Sequence, residues 1–236
     1  MILRTEGVTQ RFGGLTAVNN VSLEVNTGEI LGIIGPNGAG KTTTMRAISG
    51  MIRPKSGQII FNDEHLENKS MKYIHDAGIS FITDGGNLFP TMTVKENLLM
   101  GALNIRDKGK KSELLDKVMA LFPRLGERVN QDAGLMSGGE RKMLGIARGL
   151  MSEPKLMLVD EPSLGLAPAV VLDVFRTLKG LSKEGVIVLL VEQNVNVTLK
   201  IVDRAYILEQ GMIRGQGTSE ELLSSEYVQK MYLGIE

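Results

Sequence analysis

The chain has 236 residues, with 27 Lys plus Arg against 27 Asp plus Glu, 42% hydrophobic residues, no cysteine and no tryptophan. A folded chain of this length buries ~70% or more of its unfolded surface, which excludes global disorder and fits one large domain or a domain with a small subdomain. Zero formal net charge supplies no basic face for general nucleic-acid binding, and the missing cysteines exclude disulfides, thiolate zinc sites and cysteine nucleophiles.

No apolar run reaches the ~18 residues that span a bilayer, and the opening residues MILRTE lack the layout of a secretory leader. A cytosolic chain is expected, one that borrows a membrane partner if it serves a membrane process. The two histidines, His65 and His75, lie in a polar stretch and read as surface residues.

In chain order, Val18 to Val25 alternates apolar and polar residues, the pattern of a strand with one wet face. Ile30 to Ile34 is continuously apolar, as in a strand buried on both faces; a glycine-rich turn follows, then a helix from about Lys41 to Ser49 that Gly50 stops. Further buried strands are expected at Gln58 to Phe61, Ile79 to Ile82, Leu156 to Asp160 and Val186 to Val191. Capping boxes open helices at Thr93-Val-Lys-Glu96, Ser137-Gly-Gly-Glu140 and Thr218-Ser-Glu-Glu221, and Pro168 opens another. Residues 93 to 151 hold three helical patterns and no convincing strand, which predicts a helical subdomain inserted in the core. Ala205 to Leu208 and Met212 to Arg214 flank Gln210-Gly211 as a hairpin. Strands alternating with helices predict an α/β fold with a largely parallel sheet.

Gly35-Pro-Asn37-Gly38-Ala39-Gly40-Lys41-Thr42 matches G-x-x-x-x-G-K-[ST] between a buried strand and a helix. Its glycines let backbone N–H groups turn inward around a phosphate, and the helix that follows adds its positive end. Lys41 reaches the β- and γ-phosphates, and the Thr42 hydroxyl ligates Mg²⁺. A metal held this way needs a carboxylate from a second strand. Asp160 supplies it at the carboxyl end of Leu156 to Asp160, and Glu161, the next residue, is the candidate base for an attacking water.

Ser137-Gly138-Gly139-Glu140 with Arg141-Lys142, 24 positions before Glu161, resembles the signature motif of ABC-transporter ATPases. There the serine, the glycine amides and the helix dipole form a second anion site that closes on ATP held by a partner subunit, which implies Ser137, Gly138, Gly139 and Glu140 as nucleotide-binding residues. The resemblance extends over nearly the whole chain. Gln10-Arg-Phe12-Gly-Gly14 with Ala17-Val18 resembles the aromatic loop and first strands, implying that Phe12 meets the adenine and that Val18 and Thr43 are among the nucleotide-binding residues. Asp160-Glu-Pro-Ser-Leu-Gly-Leu-Ala-Pro168 resembles the second carboxylate motif and the loop that touches the opposite subunit. Asn87-Leu-Phe-Pro90 and Leu190-Val-Glu-Gln-Asn194 are similar to ATPase subunits of branched-chain amino-acid importers.

Two positions depart from the common family pattern. Thr83-Asp84-Gly85 stands where a glutamine is usual, so Asp84 is a candidate Mg²⁺ ligand, directly or through water. Gln193 stands where a switch histidine is usual; it can donate a hydrogen bond to a γ-phosphate but cannot titrate near neutral pH.

The resemblance implies a single ABC ATPase domain over 1–236: a P-loop NTPase core, an N-terminal antiparallel β portion and a helical subdomain at about 93–151. It implies ATP and Mg²⁺ as ligands, a second ATPase subunit identical or closely homologous, transmembrane permease subunits and a solute-binding protein, but no nucleic acid. It implies a cytoplasmic location, peripheral on the inner face of the plasma membrane, where the subunit drives import of branched-chain amino acids or similar small solutes. A soluble ABC-type ATPase acting on ribosomes or DNA would want a second nucleotide domain, a long coiled-coil insertion or a basic surface. A non-catalytic nucleotide sensor would not need Lys41, Thr42, Asp160 and Glu161 together.

Overall fold

A computed structural model describes residues 2–233. The N-terminal segment forms two long strands, β1 (Leu3–Phe12) and β2 (Leu15–Val25), paired antiparallel through a tip at Gly13-Gly14. The apolar run forms β3 (Ile30–Ile34) with every residue buried, and the glycine-rich turn leads into α1 (Lys41–Ile48). Next come β4 (Ser56–Phe61), the two-residue β5 (Glu64–His65), α2 (Met71–Asp76) and β6 (Ile79–Ile82). Four helices follow: α3 (Val94–Gly101), α4 (Lys108–Leu121), α5 (Pro123–Gly126) and α6 (Gly138–Leu150). The chain returns through β7 (Leu156–Asp160), α7 (Pro168–Lys183), β8 (Ile187–Glu192) and α8 (Val195–Thr198). It closes with β9 (Arg204–Glu209), β10 (Met212–Thr218), α9 (Ser219–Ser224) and α10 (Glu226–Val228).

All three expected capping boxes form: Thr93, Ser137 and Thr218 accept from the amides of Glu96, Glu140 and Glu221, whose carboxylates accept from the cap N–H groups. The strands make two sheets. One has the order β2-β1-β4-β5, with antiparallel pairings; the other has the order β10-β9-β3-β8-β7-β6, parallel except for the β9–β10 hairpin. The strand expected at Gln58 to Phe61 therefore belongs to the antiparallel sheet as β4, and only its last three residues are buried, because its pairing partner is β1.

Two apolar cores lie on the two faces of the parallel sheet, and the pleat sorts residues between them. Leu31 and Ile33 of β3, Leu156 and Leu158 of β7, and Leu189 and Val191 of β8 pack with the antiparallel sheet and α1. Ile30 and Ile34, Met157 and Val159, and Val188 and Leu190 pack on the other side with α3, α4, α6 and α7. Period-two alternation with apolar residues on both faces is what a fully covered parallel strand requires. Among the described residues no helix is long and apolar enough to cross a membrane.

Candidate functional site

The carboxyl ends of β3, β8 and β7, adjacent in that order, point the candidate residues at one crevice. After β3 the chain cannot carry side chains freely: a Cβ on Gly35 would run into the Leu208 carbonyl oxygen of β9, and one on Gly40, at φ +101°, into the Ala17 carbonyl oxygen of β2. The loop is thus wedged between the hairpins of both sheets. It is also tied to them, since the Gly211 amide donates to the Ala39 carbonyl at 2.9 Å. Asn37 and Gly38 are exposed at its crest, Ala39 is buried beneath it, and Thr43 is half-buried on α1. Lys41 is 4% exposed, and its ammonium donates to the carbonyls of Gly35 at 2.9 Å and Pro36 at 3.0 Å.

That ammonium lies 3.6 Å from Glu161 Oε1, so the two residues assigned to the phosphate and to the water meet directly. Thr42 Oγ1 donates to Asp160 Oδ1 at 3.0 Å, joining α1 to the end of β7. Burial raises the Asp160 pKa above its ordinary value, and the neighbouring carboxylates of Glu161 and Asp84 push the same way against the Thr42 hydrogen bond. A hydroxyl beside a buried carboxylate that is costly to ionise fits a hard divalent cation, which ligates oxygen and keeps several ligands from water and phosphate. Among the described residues no three His, Asp, Glu or Cys side chains cluster as a metal site. A Mg²⁺ shared with a nucleotide does not need one. Asp84 is exposed, close enough to weigh on Asp160 but with its side chain on the open side.

Glu161 adopts φ +43°, left-handed backbone that non-glycine residues enter at a cost of ~1–2 kcal/mol. Its amide donates to the Val191 carbonyl at 3.0 Å, which fixes the turn against β8. Gln193 is exposed just beyond β8, at the mouth of the crevice. Ser137 and Gly138 are exposed and Gly139 half-buried at the start of α6, where a Cβ on Gly139 would run into the Val170 side chain of α7. Phe12 is 49% exposed at the hairpin tip opposite Leu15, which is 67% exposed, leaving an apolar finger two residues from the Ala17 contact with the phosphate loop.

Two expected contacts are corrected. Val18 is completely buried, with its side chain under Gly40, so it supports the phosphate loop rather than offering a face to the nucleotide. Glu140 turns inward: one carboxylate oxygen accepts from the Ser137 amide at 2.8 Å and the other pairs with Arg128 at 3.0 Å. The Ser137 backbone bond first, and Arg128 in addition, hold its pKa below the usual glutamate value, so it stays a fixed anion that shapes the cap and would repel a phosphate.

Two residues escape sequence reasoning. Glu192, 2% exposed at the end of β8, accepts from the amides of Ser163 at 2.7 Å and Gln193 at 3.1 Å, fastening the segment after Glu161. Lys142, 5% exposed, donates to the carbonyl of Glu161 at 3.0 Å and to that of Asp84. Burial pulls its pKa down, opposed by the carboxylates of Asp84, Glu192, Asp160 and Glu161 around it. Both carry a signal: Glu192 ends an unbroken apolar strand, and Lys142 lies on the α6 stripe of Gly145, Ile146 and Gly149 at i+3, i+4 and i+7.

A strand, glycine loop and helix aimed at anions, with a carboxylate strand two places away in a parallel sheet, define a P-loop nucleoside triphosphatase. The family model described as ABC transporter matches residues 18–164, and the chain belongs to that family, as an ATP-binding, ATP-hydrolysing subunit of a transporter. It is 45% identical over 233 residues to the high-affinity branched-chain amino acid transport ATP-binding protein BraG of Pseudomonas aeruginosa, covering 99% of this chain and 100% of that one. It is 36% identical to the lipopolysaccharide export system ATP-binding protein LptB of Escherichia coli, over 98% and 97% of the two chains. A crystal structure of a nucleotide-free ATP-binding cassette from an ABC transporter superposes with a TM-score of 0.88 at 30% identity, covering 98% of each chain.

Proposed function

We propose that this ATPase drives import of branched-chain amino acids, or similar small solutes, through a membrane permease fed by a solute-binding protein. The full-length 45% identity to BraG carries the choice of solute, against 36% to the export protein LptB. In this reading the subunit is peripheral to the cytoplasmic face of the plasma membrane. Two copies, or one copy and a homologue, face each other. The exposed Ser137 and Gly138, two and three residues after Leu135 at 76% exposure, support such a face, since an apolar side chain beside an anion-binding helix start wants a partner.

In the reaction Glu161 accepts a proton from the attacking water, Lys41 holds the β- and γ-phosphates in place of the Gly35 and Pro36 carbonyls, and Gln193 donates to a γ-phosphate oxygen. Thr42 and Asp160, joined at 3.0 Å, with Asp84 as a further candidate, would hold a Mg²⁺ that would supply positive charge to the phosphates. Phe12 stacks on the adenine, and the helices between 93 and 151 act as a subdomain carrying Ser137, Gly138 and Gly139 to the partner's nucleotide. The test is uptake of labelled leucine, isoleucine and valine by a native host lacking this chain. Restoration by wild type and not by Lys41→Ala is expected; unaltered uptake in the deletion strain would overturn the solute, and a defect in lipopolysaccharide export would favour the LptB-like role.

A further inference from the structure

The loop between β6 and α3 touches α6 along most of that helix. Arg148 donates from Nη1 to the Asn87 carbonyl at 2.6 Å and from Nη2 to the Gly86 carbonyl at 2.7 Å. Gly145 packs so closely on Gly86 that an added Cβ would sit 3.1 Å from the Gly86 Cα. Lys142 completes the seam, and it alone of these contacts also reaches the other side of the crevice, through its bond to the Glu161 carbonyl at 3.0 Å. Among the described residues it forms no ion pair, so its buried ammonium serves two backbone carbonyls, those of Asp84 and Glu161. An ammonium offers three donors and no acceptor, which makes it a suitable bridge between two carbonyl oxygens that would otherwise turn away from each other.

The same helix begins at Ser137, five residues before Lys142. Its cap at Ser137 and Gly138 is exposed, and Lys142 in its second turn is tied to Glu161. We propose that Lys142 is a positioning residue for ATP hydrolysis: it holds the backbone of Glu161 and the loop bearing Asp84 at one fixed separation, so that the seating of α6 sets the position of the base. The inference rests on Glu161 as the base and deepens the ATPase reading. Left-handed backbone at Glu161 makes the tie consequential, because a strained residue keeps its side-chain direction only while its carbonyl and amide are both held. Glu161 has the Val191 carbonyl for its amide and Lys142 for its carbonyl.

The test compares steady-state ATPase kinetics and ADP affinity of the full chain for wild type, Lys142→Met, Lys142→Arg and Glu161→Gln. Methionine fills the same volume without donors; arginine retains donors able to span both carbonyls. Lys142→Met should lower kcat ~10–100-fold, the penalty of a misplaced catalytic group, with KM for ATP and ADP affinity within about twofold of wild type. Lys142→Arg should recover kcat to within about threefold. Wild-type kcat in Lys142→Met would overturn the proposal, as would an equal fall in Lys142→Arg. Loss of ADP binding in either variant would also overturn it, by making Lys142 a folding residue. A Glu161→Gln variant as active as wild type would instead remove the base assignment, a separable failure.

Discussion

Replacing Glu161 by glutamine and by glycine separates its chemistry from its backbone. Either change removes the carboxylate that lies 3.6 Å from Lys41, and either should cut phosphate release ~10²–10⁴-fold if Glu161 is the base. The two variants differ in conformation. At φ +43° glutamine keeps the strain that glutamate bears, ~1–2 kcal/mol, whereas glycine relieves it and gives back ~0.5–1 kcal/mol through its freer unfolded chain. The lost ion pair is common to both and cancels in the comparison. The glycine variant should therefore melt above the glutamine variant by up to ~1.5 kcal/mol, which is at most ~3–6 °C for a chain of this length. Thermal melts without nucleotide, beside a single-turnover phosphate-release assay, measure both quantities. A glycine variant melting below the glutamine variant would refute the strain argument, and a glutamine variant hydrolysing at the wild-type rate would refute the base.

Lys41→Ala should weaken ATP binding ~10–100-fold through loss of charge-assisted hydrogen bonds worth ~1.5–3 kcal/mol, and an unchanged equilibrium titration would contradict that role. Ser137→Arg should leave nucleotide binding by the monomer intact and block ATP-driven pairing, read by light scattering; normal pairing would reduce Ser137 to a helix cap. Asp84→Asn should raise the Mg²⁺ concentration at half-maximal ATPase activity, and an identical midpoint would confine the metal to Thr42 and Asp160. Burial alone would raise the Glu29 pKa, but the paired contacts with Arg204 at 3.0 Å and the Asn26 amide bring it below its ordinary value. That stabilisation is present above the unfolded glutamate pKa of ~4.3 and fades as pH falls through the folded one, so Glu29→Gln should lower Tm at neutral pH and cease to matter in acid melts.

Much of the crevice is legible in the sequence because its parts are local. The glycine loop, the strand ending at Asp160 and the Ser137 cap each declare themselves within about ten residues, and each forms at the expected boundary to within a residue or two. What stays hidden depends on pairing across long separations. Nothing in Gln58 to Phe61 says that its partner is β1 rather than a strand of the parallel sheet. Val18 is named beside an aromatic tip by motif, yet the approach of Gly40 buries it. Lys142 and Glu192 stand inside sequence motifs without a role, because the carbonyls and amides they serve are brought to them only by the folded backbone.

The pairing of β3 has a consequence during synthesis. That strand is flanked in the sheet by β8 and β9, and the loop it launches is braced by Leu208 and Gly211. Ile34 and Ile187 are 153 positions apart, so β3 leaves the ribosome long before either neighbour exists. At ~5–20 residues per second the wait lasts roughly ten to thirty seconds, with an apolar strand unpaired and a phosphate loop lacking its floor. A nascent chain arrested before residue 204 should hold no ATP, however complete its first motif. The phosphate loop therefore gains its bracing only once β9 and the turn at Gly211 have been made.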